Sequence, residues 1–193
     1  MKEKIFFETI KIEDGKVFHI DYHNKRLNKT ITDNFGLKKD IKLQNFIESP
    51  PSGLYRCKII YDRDILQISY YPYKIREIKK LKLIKSDIDY SYKYLDRNDI
   101  DTLFEKRGEA DDVLIVKEGY ITDTSIANIA FFDGKKWLTP KKPLLKGTTR
   151  ERLLKEQKVF LADIKVKDLK KFEKFALMNA MIGFYEIKEG III

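Results

Sequence analysis

Between residues 112 and 132, an apolar stretch of chain is interrupted by five polar side chains: Thr122, Asp123, Thr124, Ser125 and Asn128. The runs 113–116 and 129–132 have the length and β-branched or aromatic content of buried strands. Glu118-Gly119 reads as the turn between hairpin partners. Polar groups inside a sheet cost free energy unless they are paired. Either 122–125 is a bulge or wide turn that satisfies itself, or these groups face a bound polar ligand. Lys93, set between Tyr92 and Tyr94, is a second unusual point. On side-chain physics alone it reads as a lysine that lays its stem on the rings and lifts its ammonium to water.

The elements that must position these residues can be read on both sides of them. Residues 5–12 read as a strand, Glu13-Asp14-Gly15-Lys16 as a turn and 17–20 as its hairpin partner. A helical period follows, with Asp21 as the expected N-cap. Residues 37–48 are expected to form a second helix, ending before the Pro50-Pro51-Ser52-Gly53 loop. Residues 55–71 read as a hairpin turning at 62–64, and 81–84 as a strand. A helix is expected over 99–106, an amphipathic one over 151–158 and another around 166–169. Gly190 to Ile193 is an apolar tail, expected to pair as a strand or lie in an interface.

A chain of 193 residues with 43% hydrophobic and 12% aromatic content can bury a core and is not disordered. The net charge of +9 is spread over lysines interleaved with Asp and Glu, without an arginine stripe, zinc-ligand spacing or recognition-helix pattern. Nucleic acid is therefore not the expected partner. A solvated basic surface, or a basic pocket for anionic ligands, fits better. Cys57 is the only cysteine, so no intrachain disulfide can form, and it is expected in a buried strand. No segment reaches the length of a membrane span and no signal peptide precedes Phe6, so a cytoplasmic protein is expected.

Thr122-Asp123-Thr124-Ser125-Ile126-Ala127-Asn128-Ile129-Ala130-Phe131 resembles the hallmark of the fold-type IV enzymes that use pyridoxal 5'-phosphate (PLP), with Asp123 in place of the usual glutamate. That family includes the branched-chain and D-amino acid aminotransferases and aminodeoxychorismate lyase. Four further segments resemble it in order: Phe7-Glu8-Thr9 with His23-Asn24-Lys25-Arg26-Leu27, then Lys93-Tyr94-Leu95-Asp96-Arg97, Lys146-Gly147-Thr148-Thr149-Arg150, and Met178-Asn179-Ala180. The family usually has an extra strand and a glycine-containing segment before Phe-Glu-Thr. Here the wall they supply is expected to be absent or to come from a partner chain.

The resemblance implies a role for each segment. Lys93 would form the Schiff base with PLP, its amine pKa lowered by aromatic burial and a nearby cation. Asp123 would hold the pyridine nitrogen as pyridinium, with Asn128 beside it. Arg26 would bind the phosphate through its guanidinium fork. Gly147, Thr148 and Thr149 at a helix start, with Asn179 and Ala180 in a turn, would complete the phosphate cup. Arg56, Arg97 and Tyr94 are weaker candidates for the substrate side, and no metal site is expected.

The expectation is therefore an α+β, two-domain fold-type IV PLP enzyme, like D-amino acid aminotransferase. A small domain is expected over 1–78, a larger PLP-binding domain over 79–193, and the cofactor in the interdomain cleft. The Lys93 to Arg97 segment is nearest the lyase pattern, which implies 4-amino-4-deoxychorismate lyase, giving 4-aminobenzoate and pyruvate for folate synthesis. An amino acid aminotransferase of branched-chain or D-amino acid type is the alternative, and a non-catalytic PLP-binding relative a further one. The resemblance, the exposed first strand and the isoleucine tail together imply a homodimer.

Overall fold

The computed structural model describes residues 4–193. The chain divides into two compact units, one reaching to Ile75 and taking in Tyr92–Asp96, the other made of Arg76–Ser91 and Arg97–Ile193.

The first unit is built on β1 (Phe6–Glu13), β2 (Lys16–Val17), α1 (Ile20–Phe35), β3 (Leu54–Tyr61) and β4 (Ile65–Pro72). The four strands form an antiparallel sheet in the order β2-β1-β3-β4. Strand alternation places Phe6, Glu8, Ile10 and Ile12 on one face, and all four are fully buried. Phe6, Ile10 and Ile12 form a core with Leu27, Ile31, Leu43, Cys57, Ile59 and Tyr61. Cys57 is buried as expected, which pushes its thiol up to about 12. Residues 92–96 fold with this unit because they extend β1. Phe7 N–H donates to the Lys93 carbonyl at 2.9 Å, Leu95 N–H donates to the Ile5 carbonyl at 2.9 Å, and Tyr94 bridges Phe6.

Two local expectations are corrected here. The helix α1 begins at Ile20, behind a His19 in left-handed conformation, and Asp21 lies inside it. Residues 37–48 hold only a short 3-10 turn, Leu43–Asn45. Side chains of α1 take over the backbone groups a helix would have satisfied. Asn28 bonds both the N–H and the carbonyl of Ile41, and Asn24 accepts from Leu43 N–H.

The second unit holds β5 (Lys80–Lys85), α2 (Asn98–Glu105), β6 (Asp112–Lys117), β7 (Tyr120–Thr124), β8 (Asn128–Phe132), β9 (Trp137–Pro140), α3 (Thr148–Lys155), β10 (Phe160–Ala162), β11 (Lys174–Asn179), β12 (Gly183–Ile187) and β13 (Ile191–Ile192). Nine of these are strands of one mixed sheet with the path β10-β9-β8-β7-β6-β5-β13. In it β11 pairs with β8 and β12. Its core gathers Leu81, Leu114, Ile129, Phe131, Phe175 and Leu177. The expected helix around 166–169 is a 3-10 segment, Val166–Lys171. The isoleucine tail joins this sheet as β13, parallel to β5. Ile191 and Ile193 nevertheless remain 54% and 51% exposed.

Candidate active site

The polar stretch that stood out in the sequence is a strand and a tight turn. Residues 122–124 lie in β7, Ser125 to Ala127 turn, and Asn128 opens β8. Part of the stretch satisfies itself. Thr122 Oγ1 donates to the Ile115 carbonyl at 2.8 Å, and Thr124 Oγ1 accepts from Ala127 N–H at 3.1 Å. The register shift expected as a bulge is there: between the pairs Leu114–Thr124 and Val116–Ile121, Thr122 and Asp123 of β7 together oppose the single residue Ile115 of β6.

Asp123 is different, because it is buried and carries an acid. Asn128 Nδ2 donates to its Oδ1 at 2.7 Å, and Leu145 N–H donates to its Oδ2 at 2.8 Å. Burial pushes the carboxyl up to about 6, against these two bonds, the charge of Arg150 and a further backbone bond from Leu144. Among the described residues no side-chain cation forms an ion pair with it. A carboxylate has about four acceptor positions, so this one can take a further, cationic donor.

Asn128 is pinned from both sides, since its amide also donates to the Leu145 carbonyl at 2.8 Å. That seat explains Gly147, where a β-carbon would lie 2.1 Å from Asn128 Oδ1. Gly147 is also the N-cap of α3, with no side chain capping the helix. The buried residues Thr148 and Thr149 follow it. Uncapped first-turn N–H groups form a ready anion site. Arg150, not assigned from the sequence, is buried beside this turn. Its Nη2 donates to the Pro140 carbonyl at 2.9 Å, while its Nε has no partner.

Asn179 ends β11. Its Oδ1 accepts from Met181 and Ile182 N–H at 2.9 and 3.0 Å, so its oxygen builds the turn that carries Ala180. Its Nδ2 donates to the Ile126 carbonyl at 3.3 Å, tying that turn to the one between β7 and β8. Arg97 braces the same place. It donates to the Ser125 carbonyl at 2.9 Å and to the Tyr90 hydroxyl at 3.2 Å, with Asp101 3.5 Å from its Nε.

In the first unit Arg26 is not a free surface arginine. Its Nε donates to Glu8 Oε1 at 2.8 Å and its Nη2 to Oε2 at 2.5 Å, while His23 Nδ1 lies 2.6 Å from Oε2. Burial pushes the Glu8 carboxyl up, but the Arg26 charge and the bonds from His23 and Arg26 outweigh it and hold it at about 2. Burial lowers the His23 pKa against the pull of Glu8. Lys93 is half-buried, with Nζ 4.3 Å from the centre of the Phe7 ring and its charge felt at His23. Tyr94 packs on Phe6 at 5.3 Å between ring centres. Arg56 lies over the Tyr71 ring at 5.1 Å, and its Nε is buried without a partner.

The structure thus gathers Asp123, Asn128 and Gly147 in the second unit, and Lys93 and Arg26 around β1 in the first. Glu8 and Arg150 are the polar residues that sequence reasoning passed over. Glu8 had a readable signal: it falls on the same strand parity as Phe6, Ile10 and Ile12.

The chain matches the amino-transferase class IV family over residues 5–189. It is 40% identical to a Haemophilus influenzae protein of uncharacterized activity, over 92% of this chain and 97% of that one. A solved structure from Haemophilus somnus 129pt, described as a candidate 4-amino-4-deoxychorismate lyase, is 35% identical. It aligns with a TM-score of 0.87 over 95% of this chain and 99% of its own. The PLP-bound form of a hypothetical aminotransferase from Mycobacterium tuberculosis aligns with a TM-score of 0.78 at 17% identity. That alignment covers 98% of this chain and 82% of the other, a likeness of fold. The chain belongs to the class IV amino-transferase family, whose members share the fold-type IV architecture.

Proposed function

We propose that the protein is a PLP-dependent 4-amino-4-deoxychorismate lyase, acting on the amino group of a small anionic substrate and releasing 4-aminobenzoate and pyruvate. The residues present suit the cofactor. Asp123 is a buried carboxylate held by neutral donors, with no side-chain cation paired to it among the described residues. The start of α3 is uncapped and bears Thr148 and Thr149. Lys93 supplies an amine against an aromatic ring. The observation that favours a lyase is the end-to-end likeness to the Haemophilus somnus protein, at 35% identity, together with the Lys93-Tyr94-Leu95-Asp96-Arg97 segment.

Bound PLP supplies an aldehyde for the substrate amine and a ring that accepts electron density from the adjacent carbon. In the second unit Thr149 and the backbone at Thr148 and Ala180 would hold its phosphate, and in the first unit Arg26 is the residue suited to the same group. Asp123 would keep a proton on the ring nitrogen. Being one methylene shorter than glutamate, it depends on the bonds from Asn128 and Leu145 for its aim. Lys93 Nζ would be the group that moves the proton at the carbon bearing the amine, taking one and returning one to the departing three-carbon fragment. The Phe7 ring keeps water from one side of that amine.

The deciding assay incubates purified protein and PLP with 4-amino-4-deoxychorismate and reads 4-aminobenzoate and pyruvate. Amino transfer from an amino acid to a 2-oxo acid, with no 4-aminobenzoate, would assign the protein as an aminotransferase instead. PLP binding with neither reaction would make it a non-catalytic relative. The same reading places it in the cytoplasm as a homodimer. Among the described residues no helix is long and apolar enough to cross a membrane, and no group of three or more acidic, His or Cys side chains is gathered to hold a metal.

A further inference from the structure

We propose that Glu8 is a positioning residue that orients Arg26 for the cofactor phosphate. The inference rests on the reading of Arg26 as a phosphate anchor. Glu8 is 0% exposed on the core-facing side of β1, yet it carries a charge. A buried ion pair adds little net stability over apolar residues of the same size, so core packing alone does not account for it. What the pair does is geometric. Glu8 takes Arg26 Nε with one oxygen and Nη2 with the other, so the guanidinium cannot rotate about its own stem. His23 Nδ1 holds Oε2 in turn, keeping the carboxylate plane fixed.

The charges sharpen the point. Glu8 and Arg26 pair as opposite charges, so each offsets the other. Arg26 therefore attracts an anion through aimed N–H bonds more than through bulk positive charge, and aim is what Glu8 provides. The neighbouring residue does the equivalent for Lys93. Phe7 N–H bonds the Lys93 carbonyl at 2.9 Å, and its ring lies 4.3 Å from Nζ. Two consecutive residues of one strand thus set a guanidinium and an amine.

The test compares the affinities for PLP and for pyridoxal, which lacks the phosphate, by absorbance titration of Glu8→Gln, Arg26→Gln and the double variant. The ratio of the dissociation constant for pyridoxal to that for PLP reads the phosphate contribution alone, which a general loss of structure would not change selectively. The expected result is a fall in that ratio of about tenfold or more in each single variant, the scale of losing an orienting partner, with no further fall in the double variant. If Arg26→Gln lowers the ratio and Glu8→Gln keeps the parent value, the proposal is overturned and the Arg26 reading stands. If Arg26→Gln itself keeps the parent ratio, the Arg26 reading fails and the proposal with it. Should Glu8→Gln not fold, Glu8→Asp, which withdraws the charge by one methylene, takes its place with the same expected and overturning results.

Discussion

Asp123 and Asn128 face each other across β7 and β8, and the Asn128 amide donates to Asp123 Oδ1 at 2.7 Å. The family hallmark read from the sequence is therefore a physical pair, in which the asparagine holds the acid. The acid is kept buried by neutral groups, and that has a cost that depends on pH.

In the cofactor-free protein the folded Asp123 titrates near 6, above its ordinary value of 3.8. The folded state thus binds this proton more tightly than the unfolded chain, and the penalty is complete above pH 6. Stability should rise as pH falls from about 6 to 4, by an amount on the order of 3 kcal/mol from this group. Urea unfolding across that window should show the rise in the parent and its loss in Asp123→Asn. Glu8 acts oppositely and lower down. Held at about 2, its contribution is complete above 4.5 and is lost as pH falls from there toward 2.

Arg26→Ala should cost more than cofactor affinity. It strands the fully buried Glu8 carboxylate, and breaking such a pair typically destabilises by about 3–5 kcal/mol. Urea unfolding of the cofactor-free variant should show this loss, and Glu8→Gln combined with Arg26→Gln should recover part of it. An unchanged midpoint for Arg26→Ala would mean that the pair contributes nothing to holding Glu8.

Two glycines should respond to alanine for different reasons. At Gly147 the new β-carbon meets Asn128 Oδ1, and Asn128 cannot retreat without breaking its bonds to Asp123 and Leu145. Gly147→Ala should destabilise by about 1–3 kcal/mol and also lower turnover. Gly36, at φ 70° with nothing near its β-position, ends α1. Gly36→Ala should cost about 1 kcal/mol and leave kcat at the parent value. Melting curves and steady-state rates on both variants check the contrast.

Borohydride reduction of the PLP-loaded protein, followed by peptide mass mapping, should find the pyridoxyl group on Lys93. Lys93→Ala should fold, because the side chain is only half-buried and its backbone bond to Phe7 is kept. It should carry no label. Label on another lysine of the parent would remove Lys93 from the mechanism.

Light scattering across a dilution series should give the mass of a dimer. Both physical arguments read from the sequence are weaker in the structure: β1 lies inside its sheet between β2 and β3, with Tyr94 bridging Phe6, and the isoleucine tail pairs with β5 of its own chain. The remaining physical ground is exposed apolar surface at Ile191 and Ile193 and, in the first unit, at Leu66 and Tyr71 on β4. A monomer mass at micromolar concentration with PLP bound would end that reading.

The strands around Asp123 and the 55–71 hairpin were legible because alternation and turn residues agree there. The segment 37–48 was not, because its apolar residues repeat at helical spacing while its backbone is satisfied by Asn24 and Asn28 from another element. Propensity does not register a partner so far along the chain. Asp21 is not the cap because a left-handed His19 caps the helix two residues earlier. Gly147 was read as room for phosphate, and the geometry adds a nearer reason, the seat of Asn128. The Arg26 site was half legible. The arginine stood out in its motif, but the acid that fixes it lies 18 residues earlier and shows itself only through strand parity.

The return of Tyr92–Asp96 to β1 has a consequence for how the protein is made. A ribosome delivers Phe6 and Phe7 long before it delivers their backbone partners Tyr94 and Lys93, so the first unit is finished only after residue 96 has emerged. By then the strand 80–85 of the second unit is already synthesised. A fragment ending at residue 75 would lack the lysine and leave the outer edge of β1 open to any passing strand. The two units therefore cannot be separated by a single cut, and shuffling them between relatives would require exchanging residues 92–96 along with the first seventy-five.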